Sequence, residues 1–206
     1  CSSSTQWLSS LALFDLMKRD SIAPDEVALN AVVSACEKGG RWLQATGMLE
    51  EMRSRQHRPT LISFNAAISA CEKGQQWARS VALLGEMHHR QLQPDTITYN
   101  ALISSFRRAS EWARALGFLQ ELRGAGAALD TISYSAMMAA CGDAHQWSLT
   151  LQGLDLMARA GLAPDAVAFG TALQSLAISA QWEHAMVVLE SMQARSVQLD
   201  PVSLES

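Results

Sequence analysis

Apolar and polar positions alternate along this chain in blocks whose internal spacing keeps recurring. In the block that opens at Leu61, Ile62, Phe64, Ala67, Ile68 and Cys71 step by two, three, one and three. That spacing lays them on one face of a helix of about twelve residues. Glu72-Lys73-Gly74-Gln75-Gln76 then breaks the pattern with a polar turn containing a glycine. Trp77, Val81, Leu84 and Met87 follow at i, i+4, i+7 and i+10, the stripe of a second amphipathic helix. His88 to Gln93 is polar, and Pro94 stops propagation and sets up Asp95 and Thr96 as the next helix start. In later blocks Gly126 and Gly161 stand just past the second helix, where glycine takes a left-handed cap at little cost.

The block recurs every 35 residues without insertion or deletion: all six tryptophans, Trp7, Trp42, Trp77, Trp112, Trp147 and Trp182, fall on that one series. Met17, Met52, Met87, Leu122, Met157 and Met192 keep the same step, as do Pro24, Pro59, Pro94, Leu129, Pro164 and Leu199. The next column is Asp25, Thr60, Asp95, Asp130, Asp165 and Asp200. The fold expected is therefore all-α, an α-solenoid of helix–turn–helix units that bury their apolar faces only against one another. Residues 1–206 read as a single array: a partial repeat at 1–25, full repeats at 26–60, 61–95, 96–130, 131–165 and 166–200, and the start of another at 201–206. Neither end carries a polar capping segment, so the expectation is a fragment of a longer array.

Composition adds little to this and removes some alternatives. A formal net charge of −4 gives no global attraction to nucleic acid or to anionic lipid. No stretch approaches the ~18–20 uncharged apolar residues that span a bilayer. Cys1, Cys36, Cys71 and Cys141 share one repeat column with Phe106 and Leu176, which makes it a packing column. Equivalent helices of neighbouring repeats sit about 8–10 Å apart, and a disulfide needs Cα atoms within about 7 Å. Four reduced, buried thiols are expected, and no CxxC pair suggests zinc.

The chain resembles the pentatricopeptide repeat (PPR) family, in its P-type-like form. The residues that carry the resemblance are Thr96-Ile97-Thr98-Tyr99-Asn100-Ala101-Leu102-Ile103 with Ala115, Leu119, Leu122 and a closing Asp130, and Leu61-Ile62-Ser63-Phe64-Asn65 through Met87 to Pro94-Asp95. The resemblance implies a right-handed superhelix that binds single-stranded RNA at about one base per repeat. In such a reader the fifth residue of each unit meets the base edge, the last refines the choice, and the apolar second residue wedges against the base faces. The implied base-reading pairs are Asn30 with Thr60, Asn65 with Asp95, Asn100 with Asp130, Ser135 with Asp165, and Gly170 with Asp200. The implied wedges are Val27, Ile62, Ile97, Ile132 and Val167.

By the family's code Asn with Asp favours U, Ser with Asp leans to G, and Asn with Thr suggests a pyrimidine. Gly170 has no side chain to read with, so the implied target is 5′-YUUGN-3′. Lys38, Lys73 and Arg108 share the column near the first-helix end where this family often presents a Lys to phosphate. Asp143 and Ile178 replace them in the last two repeats, so the first three full repeats are expected to supply most of the affinity. Work on organellar transcripts, in chloroplast or mitochondrion, is implied as well, with any catalytic domain and any transit peptide outside this chain.

Other readings of the same residues stay open. Asn, Ser and Asp near a helix start also serve as caps, and the wedge column suits a core equally well. The three cations also suit solvated loop charge, partly cancelled by the adjacent Glu37 and Glu72. The tryptophans are assigned to the core or the inter-helix turn rather than to base stacking, and the methionines to the core. No phosphate-binding glycine loop, zinc-deaminase motif or isolated carboxylate pair appears, so neither catalysis nor a cofactor is expected. The rival to RNA is a protein-binding helical scaffold, and a third reading is a structural subunit of an organellar assembly.

Overall fold

The computed structural model describes residues 3–19, 24–124, 127 and 129–195. They form α1 (Ser3–Arg19), α2 (Glu26–Lys38), α3 (Trp42–Ser54), α4 (Leu61–Lys73), α5 (Trp77–His89), α6 (Thr96–Arg108), α7 (Trp112–Gly124), α8 (Thr131–Asp143), α9 (Trp147–Arg159), α10 (Ala166–Ile178) and α11 (Trp182–Ala194). No strand occurs among these residues. The fold is an all-α solenoid of repeats, and every helix from α2 onward is 13 residues long. Each of α3, α5, α7, α9 and α11 opens on its tryptophan, as the 35-residue series requires.

Packing divides the chain into two compact units between Ser105 and Phe106, within α6. In the first unit α2 packs on α1, α3 and α4, and α4 packs on α3 and α5. In the second, α8 packs on α7, α9 and α10, and α10 packs on α9 and α11. Within each unit a first helix thus touches its hairpin partner and the first helix of the next repeat.

The turns repeat as faithfully as the helices. Gly40, Gln75, Ser110, His145 and Ala180 all take positive φ between the two helices of their repeats, and Gln56, Gln91 and Gly161 do so at the joints between repeats. The glycine at 74 is not the left-handed residue of its turn; its φ is −86°. It answers a steric demand instead, because a β-carbon there would lie 2.3 Å from Cδ1 of Trp42. Gly126 lies outside the described residues.

The core is built from the expected columns with one exchange. Met52, Met87 and Met157 are fully buried, as are Phe64, Ile68, Met137 and Met138, each worth about 1.5–3 kcal/mol in transfer from water. On α5, however, the inward stripe runs through Ser80, Leu83, Leu84 and Met87, while Val81 is exposed. Ala45, Ser80, Ala115 and Thr150 hold one column, all at zero exposure. Only small side chains fit where the helices press together at that column, so size decided the register and hydrophobicity did not. Cys36, Cys71 and Cys141 are buried free thiols. Burial pushes Cys141 up to about 11, and does the same for Cys71 against a small opposing pull from Arg79. Cys1 lies outside the described residues.

Candidate nucleic-acid interface

The closing column of the repeat caps the next first helix. Asp25 Oδ1 accepts from the Ala28 N–H at 2.8 Å, Asp95 Oδ1 from Thr98 at 2.9 Å, Asp130 Oδ1 from Ser133 at 2.9 Å and Asp165 Oδ1 from Ala168 at 2.9 Å. Thr60 and Ser63 form a reciprocal capping box. Capping is therefore a real duty of this column. It leaves room for a second one, since the bonds to backbone N–H groups fall on one carboxylate oxygen.

That second duty is visible at Asp95. The Asn65 Nδ2 group donates to Asp95 Oδ1 at 3.1 Å and lies 3.3 Å from Oδ2, so the fifth residue of one repeat meets the last residue of the same repeat. Thr98 Oγ1 completes the cluster, 2.6 Å from Asn65 Oδ1 and 2.8 Å from Asp95 Oδ1. Burial pushes the Asp95 carboxyl up, but hydrogen bonding with Thr98 and Asn65 outweighs it, and its pKa falls below the ordinary value. One repeat earlier, the Ser63 hydroxyl donates to Asn30 Oδ1 at 2.6 Å, and Ser63 Oγ stands 3.1 Å from Thr60 Oγ1.

In the second unit the arrangement thins out. Ser135 Oγ is buried and has no hydrogen-bond partner, and residue 168 is an alanine where the three preceding repeats carry Ser63, Thr98 and Ser133. Gly170 sits half-buried on α10. Asn100 is half-buried on α6 in the first unit, while Asp130 belongs to the second. Asp200 lies outside the described residues.

All five residues of the wedge column are exposed, from 62% at Val167 to 74% at Val27. None of them is core. Ile62 and Ile97 flank a shallow pocket of about 300 Å³ lined also by Asn65, Asp95 and Glu37. Ile132 and Val167 flank another of about 290 Å³, lined by Ser135, with Arg107 and Asp143 at its margin. In each pocket a branched apolar side chain thus stands on either side of half-buried polar groups.

The cations behave differently from one another. Lys73 Nζ donates to Glu37 Oε1 at 3.0 Å and to the Glu37 carbonyl at 3.1 Å, so a phosphate has to compete with a carboxylate for it. Lys38 is exposed and has no ion pair among the described residues, beside a pocket shared with Leu13 and Ser34. Arg108 is exposed at the end of α6, and its neighbour Arg107 pairs with Asp143 at 2.8 Å. Trp42 lies against the turn of the next repeat at Gly74. Trp147 stacks on His184 with ring centroids 4.8 Å apart, and Trp182 is 71% exposed. The hydroxyls of Ser63, Thr98 and Ser133 are the polar groups that sequence reasoning passed over. Their signal was a Ser or Thr one residue past the middle three wedges, where the first and last carry Ala28 and Ala168.

Hairpins of constant length stacked in register, with a polar pair and an exposed apolar residue repeated in phase, define a helical-repeat binding protein. Models of the PPR repeat family, of the pentatricopeptide repeat domain and of the PPR repeat match residues 59–108, 12–73 and 97–126. Together they cover residues 12–126 without a gap, more than half the chain. The chain belongs to the pentatricopeptide repeat family. No curated protein matches it in sequence.

Among solved structures it is similar to the pentatricopeptide repeat protein PPR10 from maize, at 25% identity and a TM-score of 0.77, over 96% of this chain and 28% of the maize chain. The chain therefore spans less than a third of that protein's length. PPR10 in complex with an 18-nt psaJ RNA element superposes with a TM-score of 0.67 at 19% identity, over 98% of this chain and 35% of that one. The PPR domain of Arabidopsis thaliana protein-only RNase P 1, in complex with tRNA, gives 0.71 at 13% identity, over 87% of this chain and 95% of that one. At those identities the last two are likenesses of fold.

Proposed function

We propose that this chain binds single-stranded RNA, about one base per repeat, with 5′-YUUGN-3′ as the preferred strand. The observation that carries the reading is the exposed column of Val27, Ile62, Ile97, Ile132 and Val167. Burial of apolar groups drives folding, and five branched apolar side chains held out of the core at a constant step are poorly explained by stability alone. A base sandwiched between neighbours of that column meets Asn65 and Asp95 at its edge, which supplies donors and acceptors together. The related proteins whose structures contain RNA support the same reading. Action on organellar transcripts, and presentation of a site to a partner enzyme beyond this chain, belong to this proposal.

The rival scaffold reading rests on one observation: Lys73 is held by Glu37 and Arg107 by Asp143, which removes positive charge from the face where RNA would lie. Binding of labelled UUUG-centred, A-rich and C-rich strands, followed by fluorescence anisotropy at two salt concentrations, separates the two. Preferential binding that weakens as salt rises supports RNA. Absence of binding to every strand, repeated with a chain longer by several repeats, would favour a protein partner.

A further inference from the structure

We infer that the third residue of each repeat, when it bears a hydroxyl, is a positioning residue for the base-reading side chain of the repeat before it. Ser63 orients Asn30, Thr98 orients Asn65, and Ala168 leaves Ser135 unoriented. The inference rests on the RNA reading proposed above and deepens it, for base choice then depends on a residue from the following repeat.

An Asn side chain offers an acceptor at one end and two donors at the other, and in solution the two faces exchange freely by rotation. At Asn65 the carboxylate of Asp95 only accepts, so the Nδ2 end must face it, 3.1 Å from Oδ1. The Oδ1 end then needs a donor, and the Thr98 hydroxyl supplies it at 2.6 Å. That hydroxyl itself accepts from the Asp95 N–H at 3.2 Å. Its proton lies along the shorter of its two oxygen contacts, toward Asn65 rather than Asp95 Oδ1 at 2.8 Å. The rotated amide would set oxygen against carboxylate and leave the hydroxyl facing N–H groups. The orientation that remains holds one Nδ2 proton on Asp95 and leaves the other for an acceptor on a ligand, such as a uracil carbonyl.

At Asn30 the hydroxyl stands alone. The partner column holds Thr60 in place of a carboxylate: Ser63 Oγ stands 3.1 Å from Thr60 Oγ1 and donates to Asn30 Oδ1 at 2.6 Å. No carboxylate holds the other end of the amide, so the Ser63 contact clamps it at one end only. In the second unit Ser135 Oγ is buried without a partner, the state expected when the third-position hydroxyl is missing. Three repeats thus form a graded series: clamped at both ends, clamped at one, and unclamped.

The test uses Thr98→Val and Ser63→Ala, with Thr98→Ser and Ser63→Thr as rescues and Ala168→Ser as a gain. Helical content by circular dichroism confirms that each variant is folded. Two readouts are taken: the side-chain amide NMR signals and exchange rates of Asn30 and Asn65, and the ratio of affinities for strands that differ at one base. Losing one hydrogen bond predicts a loss of about fivefold in selectivity at that base alone, restored by the Ser and Thr rescues. Amide exchange should rise more at Asn30 in Ser63→Ala than at Asn65 in Thr98→Val. Ala168→Ser should sharpen choice at the base opposite Ser135. If wild-type chain discriminates among bases and the hydroxyl-free variants discriminate equally well, the inference is wrong and the RNA reading stands. If no strand binds at all, the RNA reading fails, and unchanged amide exchange in both variants then overturns the clamp separately.

Discussion

The ammonium of Lys73 rests 3.0 Å from Glu37 Oε1, one repeat back along the array, and in the second unit the same pair of positions is filled with the charges exchanged, Arg107 against Asp143 at 2.8 Å. Position twelve of one repeat and position thirteen of the next therefore form a staple indifferent to polarity. Both pairs are partly exposed, so each contributes at most about 1 kcal/mol to stability. Their larger effect falls on the potential of the face, since each staple neutralises a cation beside the wedge column.

Glu37→Gln therefore removes the carboxylate that neutralises Lys73, leaving the contact with the residue-37 carbonyl, while costing little in folding. The expected outcome is tighter binding of the preferred strand at low salt, and a salt dependence steeper by about 0.7 in log–log slope for one further phosphate contact on a single strand. Anisotropy titrations across a salt series measure it. An unchanged slope with unchanged affinity would remove Lys73 from the interface.

A second relationship lies in the core of the second unit. A β-carbon on Gly153 would lie 2.4 Å from Cγ of Met138. In the glycine's column Met48, Leu83, Phe118 and Val188 are all larger, while the facing column holds the branched Val33, Ile68, Ile103 and Leu173 where α8 has the longer, unbranched Met138. The methionine reaches into the space that the missing side chain leaves. Gly153→Ala should destabilise by about 1–3 kcal/mol through overpacking, and Met138→Val should recover much of that loss in the double variant. Chemical denaturation of the two single variants and the double variant checks it.

Much of this was legible in the sequence. The period placed every tryptophan-led helix, the closing column marked the helix starts, and the methionine and cysteine columns marked the core. What the letters concealed was local geometry. Glycine at 74 announced a turn, but the left-handed residue of that turn is Gln75, with φ of 56°, and Gly74 makes room for Trp42. Val81 looked like core and Ser80 did not, because periodicity weighs hydrophobicity and the helix contact selects for size. The wedge column read equally as core until its exposure was known. Ser63 and Thr98 were invisible as site residues because their partners lie 33 residues away, and hydroxyl columns near helix starts announce only a cap.

Acid should weaken the Asp95 cluster in a specific window. Against the upward push of burial, hydrogen bonds hold the folded-state pKa of Asp95 below its ordinary value of 3.8, so the unfolded chain takes up the proton first as pH falls. The contribution of this carboxylate is complete above the unfolded value and is lost as pH drops through the folded one. Thermal stability of the wild-type chain should hold near neutrality and decline in acid. Asp95→Asn should start lower and show a shallower acid decline. A decline of equal steepness in both would place the acid sensitivity elsewhere.

The wedge residues permit a separation that core residues never do. Ile62 and Ile97 are 67% and 66% exposed, so truncating either to alanine removes little buried area and should shift folding stability by no more than about 0.5 kcal/mol. If a base rests between them, the same truncations expose its faces, and stacking contacts of this kind are worth about 1–3 kcal/mol per base. The double variant Ile62→Ala, Ile97→Ala is therefore expected to melt like the wild-type chain and yet bind the UUUG-centred strand at least about tenfold more weakly. Its salt slope should stay unchanged, because no phosphate contact has been touched. A variant that melts early and binds normally would return this column to a structural role, and the exposed row of branched side chains would then need a protein partner to cover it.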